Sequence, residues 1–344
     1  MKTHRFAAAS LAALFSLAAC AENPVAPTSD ASYTVISQSF ARGAARPYTF
    51  TRVDVPGAFQ TAPSGINAAG VIVGWYFAGT GCPTSTAPCV VRGFILKDGA
   101  VTTVVFHNND TGTDAAFTQL RGIGPSGEVV GLYRMAGEPV VNLHGFKLTT
   151  SGEFVKIYHP DHTNSVAQRI LPDGTILGCY HDNDQMGSMH GMVWDKDGFS
   201  AFSRATTMHN GATPSGHRIT GLFTDMPGTA AEKGRGYVLE DGVFTPFDAP
   251  GSDFTAAWDM NPAGTIVGLF KDAGTSNIHG FVLEQWRVLG GALSGTYTTI
   301  NFPLTPSTNA AYTDVFGVNA SGDLVGKFRE TATGPFHGYV ATPN

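Results

Sequence analysis

The chain repeats itself, and that limits the folds open to it more than any other feature. Six times it runs through a turn, a Gly-x-aromatic segment and a His/Arg-Gly segment, the last followed by an aromatic in five units. The first unit reads GINAAGVIVGWYF from Gly65, then RGF at Arg92. Later units read GIGPSGEVVGLY with HGF at His144, ILPDGTILGCY with HGM at His190, and PSGHRITGLF with RGY at Arg235. The last two are MNPAGTIVGLF with HGF at His279 and VNASGDLVGKF with HGY at His337. The recurring glycines, Gly74 to Gly326, span 252 positions in five intervals, about 50 residues per unit. A period of that size with several short strands per unit signals a propeller or an array.

Each unit divides into four extended runs. In the fifth, Phe254–Met260 leads through the turn NPAG into Thr265–Phe270, then His279–Glu284 and Thr296–Pro303. Gly, Asn, Asp and Pro provide the joints, and no later stretch keeps a helical period. The expected fold is all-β, a six-bladed β-propeller closed by an N-terminal strand. The chain opens on an orphan fourth strand, Tyr48–Gly57, and ends on a third strand lacking its fourth, His337–Ala341. Joining them leaves no open edge. Unit four has lost the GIN pattern in Arg204–Gly216 and carries an extra residue, so five blades plus an irregular insertion is the alternative.

The ends read differently. Residues 1–19 form a signal peptide, with Lys2, His4 and Arg5 before an apolar run too short to span a bilayer. It stops at Leu17-Ala18-Ala19-Cys20, which resembles a bacterial lipoprotein boundary, and that implies acylation of Cys20. Residues 20–46 are rich in Ala, Ser, Thr and Pro and read as a lipidated, flexible tether to a repeat domain at 47–344. The expected location is the bacterial envelope, lipid-anchored at the outer membrane or cell surface, or secreted. An exported chain is permitted disulfides, so Cys82 and Cys89, bracketing CPTSTAPC, are expected to pair, and Cys179 is a buried thiol. The whole chain has 27 acidic and 21 basic residues. That acidic balance argues against a nucleic-acid partner.

The pattern D-x-P-G, then GIN-x-x-G-x-I-V-G-x-Y, then HGF resembles the HAF-type bacterial extracellular repeat proteins. VDVPGAFQTAPSGINAAGVIVGWY and FDAPGSDFTAAWDMNPAGTIVGLF carry it, and it covers nearly all of residues 48–341 apart from unit four. The resemblance implies an exported repeat protein and no particular chemistry.

The recurrent Arg92, His144, His190, Arg235, His279 and His337 read as structural. Arginine replaces histidine freely, so the shared property is N–H donation, expected to tether a neighbouring backbone carbonyl. The aromatics Tyr76, Tyr133, Tyr180, Phe223, Phe270 and Phe328 read as packing, and Asn67, Asn261 and Asn319 as turn formers.

Departures from the repeat mark candidate sites. Loops entering each unit and loops between its second and third strands share one end, which carries the variation in length. There unit three has YHPDHTN and CYHDND, placing His159, Asp161 and His162 beside His181, Asp182 and Asp184. These six are the candidate ligand-binding residues, with His159, His162, His181 and Asp182 the acid–base candidates and the three histidines the candidate metal ligands. His107, Asp110 and His209 are candidate extensions. No cofactor is expected beyond a divalent metal at that cluster. No nucleophile triad or phosphate loop stands in context. The expected function is a monomeric surface binding or scaffold module for a glycan or envelope component, its membrane contact through the lipid. The alternative is an extracytoplasmic polysaccharide lyase or hydrolase using the unit-three cluster.

Overall fold

The structure, a computed structural model, describes residues 31–32, 36–37, 48–79, 90–162, 164–181, 189–227, 229 and 231–344. The leader, Cys20, most of the tether, Cys82, Cys89, Asp182 and Asp184 lie outside them. The described residues are all-β.

Units one to five are each four consecutive antiparallel strands. Unit one is Ala58–Ile66, Ile72–Ala78, Val90–Lys97 and Ala100–Val104. Unit four, the doubtful member, is complete: Thr207–Ala212, Arg218–Asp225, Lys233–Glu240 and Val243–Phe247. In unit six the first strand is broken into Tyr312–Thr313 and Gly317–Val318, followed by Leu324–Arg329 and His337–Pro343. Its fourth strand is Tyr48–Val53, paired from Pro343↔Tyr48 to Gly338↔Val53. Chain ends thus meet in one sheet, as the orphan strands required. Two short pieces of the tether add to outer edges, Ala31–Ser32 on Ala100–Val101 and Ile36–Ser37 on Thr51–Arg52.

A bulge explains the repeated glycine. In units one to five the first strand slips by one residue, at Ser64, Arg121, Gln168, Asn210 and Trp258. The slip drives a carbonyl of that strand onto the glycine opposite: Gln119 O onto Gly131, Val166 O onto Gly178, Met208 O onto Gly221. A Cβ there would overlap the oxygen, so no other residue fits.

Neighbouring units are stapled by a position the repeat reading missed. Thr61, Thr118, Ser165, Thr207, Thr255 and Thr313 are all buried, and each hydroxyl accepts a backbone N–H from the preceding unit at 2.9–3.1 Å. The turn asparagines add a second tie. Asn67 Oδ1 accepts two N–H groups of its own turn while Nδ2 donates to Gly124 O at 3.4 Å. Asn261 donates to Asn319 O, and Asn319 to Asn67 O at 3.3 Å, which joins unit six to unit one. Thr61 N also donates to Phe336 O across that junction.

Thr61→Val keeps the shape and strands the Val55 N–H at the junction between units six and one. It is expected to cost about 1–3 kcal/mol, read as a lower urea midpoint. An unchanged midpoint would show that this staple holds nothing.

Candidate functional site

The imidazoles of unit three divide between two faces. His159 and His162 face each other across a single antiparallel bridge, ring centres 4.4 Å apart. Both lie on Tyr180, at 4.3 and 4.9 Å, with Phe199 edge-on to His159 and His190 stacked on Tyr180. Asp161 gives its backbone N–H to His159 Nδ1 at 3.0 Å.

His181 does not join them. Side chains alternate along a strand, so Tyr180 meets the His159–His162 pair while Cys179 and His181 face the other way, Sγ to Nε2 3.5 Å. The expected convergence of His159, His162 and His181 is corrected accordingly. What forms is two imidazoles packed on aromatics. Among the described residues no group of three or more His, Cys, Asp or Glu is arranged to hold a metal. Burial pushes the Cys179 thiol up to about 12, so it is inert as a nucleophile.

The expected extensions turn elsewhere too. His107 pairs with Asp114 at 2.8 Å and Asp110 with Lys156. His209 is 1% exposed, bonded to the Tyr237 hydroxyl, and lies where a Cβ on Gly191 would touch its ring.

The recurrent donors mostly meet side chains, not the backbone carbonyls expected. Arg92 follows that expectation, donating to Val91, Ala115 and Ala116 O. His144 meets Glu138, Arg235 meets Asp225 and Asp248, His279 meets Asp272 and Asn301, and His337 meets Asp54. Asp54 and Asp248 open the D-x-P-G motif, which is why the two halves of the repeat travel together. Where Val105 or Tyr158 replaces that acid, Arg92 and His144 take other acceptors.

The chemistry concentrates where bulge residues of several units meet, a place we call the axis. The Arg169 guanidinium donates to Arg121 O at 2.7 Å, Gln168 O at 2.8 Å, Trp258 O at 3.2 Å and Phe316 O. These are bulge carbonyls of units two, three and five and the matching one of unit six, so the bulges converge on one side chain. Its Nε lies 3.0 Å from Asp259 Oδ1, and Asp259 Oδ2 accepts Val318 N–H at 3.1 Å. Burial pushes the Asp259 carboxyl up, against the pull of Arg169 and the backbone N–H groups.

Above this plug lies an apolar cluster with members from all six units, among them Leu132, Cys179, Met208, Leu269, Phe316 and the half-buried Trp75. At Gly+1 on the second strand unit six alone is polar: Lys327, buried, pairs with Asp314 at 3.1 Å and sits 4.6 Å from the Phe316 ring. At Gly+3, the loop-rich end, residue types diverge: Phe77, Arg134, His181, Thr224, Lys271 and Arg329. Arg134 lies over Phe117 at 5.4 Å and Arg329 over Phe336 at 3.7 Å, while Lys271 pairs with Asp253 at 3.0 Å. Apart from His181, the sequence reading missed these residues. Their signal was a strict position, three after each glycine, holding no fixed residue type.

No family model matches the chain, and no curated protein does. Solved structures do resemble it. A protein of unknown function from Dyadobacter fermentans is 13% identical, covers 92% of this chain and 99% of its own, and superposes with a TM-score of 0.51. A gluconolactonase from Xanthomonas campestris is 13% identical over 93% of this chain and 99% of its own, TM-score 0.48. The β-propeller domain of the Trilobed protease from Pyrococcus furiosus is 11% identical over 82% and 95%, TM-score 0.44. The likeness at these identities is one of fold.

Proposed function

We propose that the six units are the blades of a closed β-propeller, and that the protein is an exported, lipid-anchored binding module. Its loop-rich end takes a glycan or envelope component. The ring reading is supported by the Asn319–Asn67 tie, by Thr61 N–H on Phe336 O, and by the strand Tyr48–Val53 completing unit six. Cys20, following Leu17-Ala18-Ala19, supports export and acylation, and the resemblance to HAF-type proteins agrees.

One observation carries the binding reading. Scaffold positions repeat around the ring, whereas the Gly+3 tier diverges and brings cations onto aromatics, as Arg134 on Phe117 and Arg329 on Phe336 do. Cations gathered at that end suit acidic sugars. The hydrolase or lyase alternative loses its support with His181 turned from His159 and His162.

The test is a glycan array probed with the full processed chain, with Cys20→Ser as the soluble form. Uronate-containing glycans are expected to be retained, and retention should fall at least about tenfold in a Lys271→Ala, Arg329→Ala variant. An array without signal, or signal indifferent to those changes, removes the binding reading. Cys20→Ser should also leave the membrane fraction. If it fractionates like the parent, the anchor is wrong.

A further inference from the structure

One buried cation on the axis has no partner among the described residues. Arg121 is the bulge residue of unit two, 5% exposed, and its carbonyl is one of those gathered by Arg169. Its Nε is buried without a hydrogen bond, and among the described residues no acceptor or carboxylate takes any of its N–H groups. The two buried acids of the axis are committed. Asp259 serves Arg169 and Val318 N–H, and Asp314 serves Lys327 and the Tyr312 hydroxyl. Arg121, Arg169 and Lys327 therefore face two carboxylates, one positive charge in excess.

An unpaired charge in a protein interior is strongly unfavourable, and buried guanidinium groups are ordinarily matched. Burial and the neighbouring Arg169 push the Arg121 guanidinium down to about 10, against an opposing pull from Cys179, and leave it still charged at neutral pH. Three further polar atoms of this core lack partners, the Trp258 indole N–H, Gln119 Oε1 and Asn210 Oδ1. The wall is apolar, the six-unit cluster holding Leu132, Met208 and Phe316. A partner must therefore bring a negative charge to Arg121 and a body that tolerates an apolar surround.

We infer that Arg121 is the seat of an axial site for a small organic carboxylate, which enters from the loop-rich end and pairs with the guanidinium. This rests on the ring reading above, and not on glycan binding at the rim. A planar carboxylate matches the guanidinium fork, and its organic body displaces water from the apolar wall. Two sources share this chemistry, a free monocarboxylate and the uronate of a glycan chain, and probes of both kinds separate them.

The experiment is thermal unfolding of the full processed chain at constant ionic strength, with chloride, inorganic phosphate, benzoate, glucuronate or an oligouronate added. Benzoate or glucuronate should raise the parent's Tm by on the order of 5 °C at saturation, with chloride and phosphate giving little. Arg121→Met should unfold no earlier than the parent without carboxylate, since it removes an unpaired charge, and should lose the carboxylate-dependent rise. Arg121→Lys should keep part of the rise. A rise with oligouronate alone assigns the site to a glycan end, within the same chemistry. Equal rises with all anions, or none with any, overturn the proposal, as does a rise that survives in Arg121→Met. A blank glycan array leaves this result unaffected, because the free acids are tested directly.

Discussion

Replacing Arg169 by leucine is expected to destabilise the protein by about 3–5 kcal/mol, a large share of the stability of an ordinary domain. The guanidinium satisfies carbonyls from four units, at residues 121, 168, 258 and 316, and faces Asp259 at 3.0 Å. Leucine fills part of the space and leaves Asp259 buried without its cation and the carbonyls without a donor. Each such group carries its own desolvation penalty. Replacing Asp259 as well, in Arg169→Leu, Asp259→Leu, should recover part of the loss by removing the uncompensated charge. The carbonyls would remain unsatisfied, so recovery stays incomplete. Urea unfolding followed by tryptophan fluorescence reads both variants. A loss below about 1 kcal/mol for the single variant would mean that water replaces the guanidinium and that the axis is not sealed.

Acid should weaken the fold through His209 well before the carboxylates titrate. Its ring is enclosed under Gly191, and the Tyr237 hydroxyl it meets donates onward to Met208 O at 3.0 Å. Burial pushes its pKa down from 6.5 to about 4. The folded state therefore holds the neutral ring, while the unfolded chain protonates near 6.5. Its contribution is complete above pH 6.5 and is lost as pH falls towards 4, about 3 kcal/mol in all. His209→Gln keeps a hydrogen-bonding group without the titration. Between pH 6.5 and 5 its urea midpoint should fall less steeply than the parent's. Parallel slopes in that window would assign the acid limb to other histidines.

Much of the fold was legible because the scaffold positions repeat. The glycine every 50 residues or so marks the place where a bulge pushes a carbonyl against the next strand, a demand that every unit must meet. The orphan strands at the ends foretold the pairing of Tyr48–Val53 with His337–Pro343. Unit four looked irregular because its turn sequence has drifted. Yet its staple, Thr207, stands fourteen residues before Gly221, against thirteen in the other five units, so one inserted residue accounts for its aberrant spacing. In unit three it is the structure that seats His159 and His162 on Tyr180, and hence on the face of the strand opposite His181.

The sequence by itself determined the strands, the units and the joining of the chain ends, because those follow from local turn chemistry and from positions every unit shares. Only the tertiary structure decided what meets on the axis. Ser64, Arg121, Gln168, Asn210 and Trp258 occupy one repeated position with no repeated residue type, so periodicity is blind to them. Arg169 finds its acceptors 48, 89 and 147 residues away, in units that no local pattern in the sequence sets side by side. A charge left over at Arg121 is a property of that convergence. It exists only once Asp259 and Asp314 have been taken by Arg169 and Lys327.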